Sequence, residues 1–148
     1  MNYYDFAIKN LKTAQLHVKY DGDTDEIVVA CQQYFEKAFI QLLLLRDGSI
    51  YKTHKISFLV RKLSIIEFSM NEDLFRIIED YYFDKRYPSE VYEETSKDEA
   101  MKVYNLAVEL KPTIEYYLKE FENNKKTILE VVMSLMIFKL KEINSVNN

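Results

Sequence analysis

The sequence predicts an all-α protein: an up-and-down helical bundle of four to five core helices with an extra helix at the C-terminus. Three observations carry that prediction. The 148 residues hold only two glycines and two prolines, too few punctuators for a turn-rich β architecture. Apolar residues recur at intervals of three and four along long stretches. Helix-start pairs, Asp or Ser followed three residues later by Glu, stand at Asp23/Glu26, Ser69/Glu72 and Ser96/Glu99.

The first helix is expected over about Asn2 to Tyr20, with Tyr4, Ala7, Leu11, Ala14 and Val18 on one face. Asp21-Gly22 should end it, with Gly22 free to turn left-handed. The second should run from Thr24 to Arg46. One stripe is Ile27, Cys31, Tyr34, Ala38, Leu42 and Leu45; another is Val28, Phe35, Phe39 and Leu43. Two stripes make it the central helix. After Asp47-Gly48 and a loop to Thr53, a third helix is expected over His54 to Glu67, burying Ile56, Leu59, Leu63 and Ile66. A fourth, Met70 to Asp84, should turn Leu74, Ile77, Ile78 and Tyr81 inward and stop at Tyr87-Pro88.

An acidic loop, Pro88 to Thr95, leads to a fifth helix from Ser96 to Phe121 carrying Tyr104, Ala107, Leu110, Ile114 and Tyr117. Pro112 inside it predicts a kink or break near Val108. Asn123-Asn124 should separate a last helix, Lys125 to Ile143, which is apolar nearly all round, with Glu130, Ser134 and Lys141 marking its narrow polar strip. The expected organisation is a bundle over 1–122 and a C-terminal helix within 123–148. That helix either joins the same domain or forms an oligomer interface through Ile128, Val131, Leu135 and Phe138.

The net charge of −4 argues against holding nucleic acid by bulk electrostatics, although a local patch can bind phosphate. Cys31 is the only cysteine, so no internal disulfide forms and a cytoplasmic setting is expected. No signal peptide is read at the N-terminus. The longest apolar run, Ile128 to Leu140, falls short of the roughly 20 residues that span a bilayer, so no membrane association is expected. No Gly-rich phosphate loop and no His/Cys metal spacing stands out, so neither a cofactor nor a metal is expected.

Several stretches, taken in order, resemble a known family. Ala30 to Ala38, reading ACQQYFEKA, is similar to the second-helix signature AxQQAxEKAxKALL of the HEPN domain (higher eukaryotes and prokaryotes nucleotide-binding). Thr53-His54-Lys55-Ile56 with Leu59 resembles its THDLxxLL segment, Tyr82 to Pro88 its aromatic and RYP segment, and Ser96 to Phe121 its closing helix. The resemblance spans about residues 3 to 122. It implies a four- to five-helix bundle, often a homodimer. It also implies a minimal nucleotidyltransferase as partner, in some cases within a toxin–antitoxin pair, or a nucleotide or RNA as ligand. Some branches are metal-independent ribonucleases carrying Arg, four to six intervening residues, then His. Here only His17 and His54 exist, no Arg precedes His17, and seven residues separate Arg46 from His54. The ribonuclease parts are present without the family spacing.

Four places stand out as candidates. His54 with Arg46, Lys52 and Lys55 joins a helix start to cations, a seat for phosphate; the plain alternative is a cap with solvated lysines. Lys85-Arg86-Tyr87 offers a two-pronged phosphate donor and a ring that stacks on a base; alternatively Arg86 pairs with a carboxylate and Tyr87 closes the core. Gln32-Gln33 with Glu36-Lys37 reads as a hydrogen-bonded, solvated face of the central helix. The last helix is the fourth. The leading reading is a HEPN-type binding module for a nucleotidyltransferase partner or a nucleotide, acting through His54, Lys55, Lys85, Arg86 and Tyr87. The alternatives are a metal-independent endoribonuclease, with His54 as acid/base and Arg46 or Arg86 as clamp, and a structural helical adaptor.

Overall fold

The computed structural model describes residues 1–147. Among them there are six helices: α1 (Tyr3–Lys19), α2 (Thr24–Asp47), α3 (Ile56–Leu63), α4 (Ile66–Ser69), α5 (Glu72–Asp84) and α6 (Lys97–Asn147). The fold is an all-α bundle, and α2 is its axis. Every residue of both stripes except the terminal Leu45 is buried, and Phe35 and Phe39 pack edge-on against Phe75 of α5. Asp23 caps α2 by accepting from the Asp25 and Glu26 backbone N–H groups, and Gly48 ends it at φ 73°.

Contacts at the two ends of the bundle set the helix directions. Tyr3 donates its N–H to Gln41 and Lys37 reaches Asn10, while His17 meets Asp23, so α1 runs against α2. Thr24 donates to the Thr95 carbonyl at one end and Arg46 lies over Phe121 at the other, so α6 runs with α2. The loop 48–55 returns along α2 before α3 begins. That return places His54 beside the middle of α2 and not beside its end.

The structure corrects several local expectations. The left-handed residue after α1 is Asp21, at φ 52°. Gly22 is required for a different reason: a Cβ there would collide with the His17 ring. The single third helix splits, because Ser64 turns left-handed at φ 53° and the chain restarts in the short α4. Ile66 and Ile77 face solvent, while Phe68 and Phe75 take the core positions. The Ser69/Glu72 pair does not cap α5, whose N-cap is Asn71. Glu72 pairs instead with Arg61 and Arg76.

At α6, Ser96 Oγ accepts from the Glu99 N–H, but the Glu99 carboxylate takes the Tyr81 hydroxyl. Pro112 does not break α6. It deletes the hydrogen bond that the Val108 carbonyl would accept; Val108 is exposed, so water can replace it. Asn123 and Asn124 lie inside α6 as well. Residues 122–147 are exposed throughout and extend past the bundle as an arm. Asn148, the last residue of the expected 123–148 segment, lies outside the described residues.

Candidate functional site

Glu36 lies in the middle of α2 and is only 7 % exposed. A carboxylate there must be hydrogen-bonded. Gln32 Nε2, one turn earlier, donates to Oε2 at 2.8 Å, and His54 Nδ1 lies 3.0 Å from the same oxygen. Gln33 Nε2 in turn donates to Gln32 Oε1 at 2.6 Å. The i,i+4 bond expected from the sequence is present, but the solvated face is not. Gln32 and Glu36 are buried, and the loop 48–55 brings His54 onto Glu36.

His54 keeps 46 % of its side chain exposed. Its ring stacks on Tyr82 of α5, with centroids 4.4 Å apart and planes at 11°, and Phe83 meets it edge-on at 5.8 Å. Arg86, one helical turn beyond Tyr82, holds its guanidinium 5.1 Å from the centroid of that same ring. Tyr87 stacks on Phe83 at 6.4 Å. The last turn of α5 therefore gathers His54, Arg86 and Tyr87 around two aromatic rings. Accepting from Nδ1 lets Glu36 hold the His54 tautomer whose Nε2 is left for a ligand or a proton.

The other candidates lie elsewhere. Lys85 donates to the Glu93 carbonyl and covers the Tyr92 ring, which ties down the loop after α5. Lys55 stands at the start of α3 with its side chain in solvent, and its N–H goes to Thr53 Oγ1 at 3.1 Å. Arg46 donates to the Lys62 and Leu63 carbonyls at 2.8 and 2.6 Å and pairs with Asp47. None of its hydrogen bonds reaches His54. His17 accepts the Asp23 N–H between α1 and α2, a structural role. Burial pushes the Cys31 thiol up to about 12, so it is not a ready nucleophile.

Two cavities flank α2. One, of about 270 Å³, opens at His54 and Glu36 beside Tyr51, Lys52 and Thr53. The other, of about 330 Å³, is lined by Asn10, Thr13, Gln33, Lys37 and Arg86, with Glu26 among them. The row Gln33–Gln32–Glu36–His54 joins them. The acidic side of the region is Glu79, which accepts from the Ser57 N–H and hydroxyl, and Asp80. Burial, then Asp84 and Glu79, push the Asp80 carboxyl above its ordinary range, with Lys55 opposing. Among the described residues, no group of three or more His, Cys, Asp or Glu is placed to hold a metal ion, and no helix is long and apolar enough to cross a membrane.

Sequence reasoning places Glu36 on a solvated helix face and Tyr82 in a family-like segment, and misses both their meeting at His54 and the second cavity. One signal was available. A helix with two apolar stripes has little circumference left, so polar residues between the stripes must be partly buried and partnered.

The comparison with curated proteins gives no match, and the comparison with solved structures gives none. The comparison with protein families matches the HEPN domain over residues 2–120. That match takes in α1 to α5 and the bundle portion of α6, and with it every residue of the His54–Glu36–Arg86 region. The chain belongs to the HEPN domain family.

Proposed function

We propose that this HEPN chain is a binding module that takes a nucleotide at the His54/Arg86 end and associates with a nucleotidyltransferase partner. One observation supports the nucleotide part: His54 and Arg86 share the Tyr82 ring. Beside them Phe83 and Tyr87 remain more than half exposed, which suits stacking on a base, and Arg86 suits a phosphate. The partner and a toxin–antitoxin context follow from the family resemblance, and a cytoplasmic setting from the single cysteine. A thermal-shift screen of nucleotides tests this reading. Nucleotide at a hundred times its Kd should stabilise the protein by about 2.7 kcal/mol, and Arg86→Ala should remove the shift. No shift with any nucleotide, together with no co-purifying partner, defeats it.

A second reading, a metal-independent endoribonuclease, draws support from the His54–Glu36 pair. A half-exposed imidazole held by a buried carboxylate is equipped for general acid–base work. Arg46 is engaged at the end of α3, so the phosphate clamp would be Arg86. Purified protein should then cut RNA in EDTA, and His54→Ala should slow the cut by about 10²–10⁴-fold. Intact RNA under those conditions removes the idea. The homodimer and adaptor readings rest on the arm of α6.

A further inference from the structure

We propose that the cavity between α1, α2 and the residues after α5 is an anion site that seats a phosphate group on Lys37, Arg86 and the Asn10 amide. This rests on the nucleotide reading only for the role of Arg86; Lys37 and Asn10 line a different cavity from His54.

The cavity measures about 330 Å³, at the small end of the roughly 300–1,000 Å³ typical of ligand pockets. Two cations line it, and neither forms an ion pair among the described residues. Lys37 is half-buried, and its ammonium donates to Asn10 Oδ1 at 2.7 Å. Using that oxygen leaves the Asn10 N–H groups for a ligand. Burial holds the Lys37 pKa below its ordinary value, with Glu36 only partly opposing. A partly desolvated cation without a counter-ion gains most from an incoming anion. Arg86 supplies a planar donor fork matched to phosphate oxygens; the Thr13 hydroxyl on the same wall is engaged with the Lys9 carbonyl. Glu26 is the one carboxylate in the lining, exposed at the first turn of α2. It works against an anion, so its neutralisation should strengthen binding. Gln33 touches the same space and leads through Gln32 and Glu36 to His54.

Isothermal titration of the full chain with inorganic phosphate and pyrophosphate at low ionic strength tests the site. Lys37→Gln and Arg86→Gln should each weaken pyrophosphate by about tenfold or more, and Glu26→Gln should tighten it. Lys37→Arg should retain most of the affinity. Lys119→Gln, an equal charge change on α6, should leave it unaltered. Folding of each variant is checked by circular dichroism, and the Lys37 ammonium should titrate higher by NMR when phosphate is present. Equal affinity in wild type and Lys37→Gln overturns the proposal, as does an equal loss in Lys119→Gln. If nucleotides fail to bind but pyrophosphate binds through Lys37, this site stands and the nucleotide reading falls. If nucleotides bind with no dependence on Lys37, the reverse holds.

Discussion

Glu36 shows how one side chain ties core to site. It is buried, accepts from Gln32 and holds His54. Glu36→Ala strands the Gln32 amide inside the protein and should cost about 1–3 kcal/mol in urea unfolding; a loss under half of that would mean water satisfies Gln32. Asp25 gives a pH prediction. Burial pushes its carboxyl up, but hydrogen bonds from Tyr92 and Thr95 outweigh burial and hold it below the ordinary range. A depressed folded pKa contributes stability above the unfolded pKa of about 3.9 and loses it as pH falls through the folded value. Wild type should therefore exceed Asp25→Asn in stability at pH 7, and the gap should close below about pH 4. A gap constant from pH 7 to 3 would contradict this. Neither role could be read from the sequence. Glu36 and Asp25 get their partners from residues 18 and 67–70 positions away, and periodicity reports only on neighbours within a turn or two.

At the scale of elements, the long stripes were legible because they are local. The predicted α2 differs from the observed helix by one residue at its end, and its two stripes do form the core axis. The end of α3 was not legible, because a different helix sets it. Arg46 reaches from the last turn of α2 to the carbonyls of Lys62 and Leu63, satisfying acceptors that a continuing helix would have used, and Ser64 turns left-handed beside them. Arg46→Ala should destabilise the fold by about 1–2 kcal/mol while leaving nucleotide binding intact. Arg86→Ala should do the opposite, so chemical denaturation and a nucleotide thermal shift together separate the two arginines. The site was legible in part for the same reason. The Arg86 and Tyr87 neighbourhood follows from one turn of α5, but its meeting with His54 depends on a loop that doubles back along α2.

On the scale of the whole molecule, the prediction concerns the arm, which should pair with a second copy of this chain. Helix α6 has 51 residues, about 75 Å at 1.5 Å per residue, and the part beyond Phe121 touches none of the bundle's core. It is one unbroken rod, so it cannot fold back as a sixth bundle helix. Twelve apolar side chains from Ile128 to Val146 stand open to water, most of them about half to two-thirds exposed. Together they expose on the order of 1,000 Å², against about 800 Å² per partner in a stable complex and a few hundred tolerated on monomers. A lipid surface fits poorly. Membrane-lying helices carry a broad Lys/Arg-rich polar face, whereas from Ile128 to Ile143 this arm has only Lys139 and Lys141, offset by Glu130 and Glu142. A second arm matches in length and apolarity, with Leu129, Val132, Met136 and Leu140 at the three-and-four spacing that pairs rods. The expected homodimer through Ile128, Val131, Leu135 and Phe138 uses the adjoining stripe of the same rod. Light scattering should show a dimer or larger assembly for the full chain and a folded monomer once the chain is cut after Asn123, with Leu135→Asp weakening the assembly. An unchanged mass after truncation, or a monomeric full chain that binds lipid vesicles, would remove self-pairing as the reason for the arm.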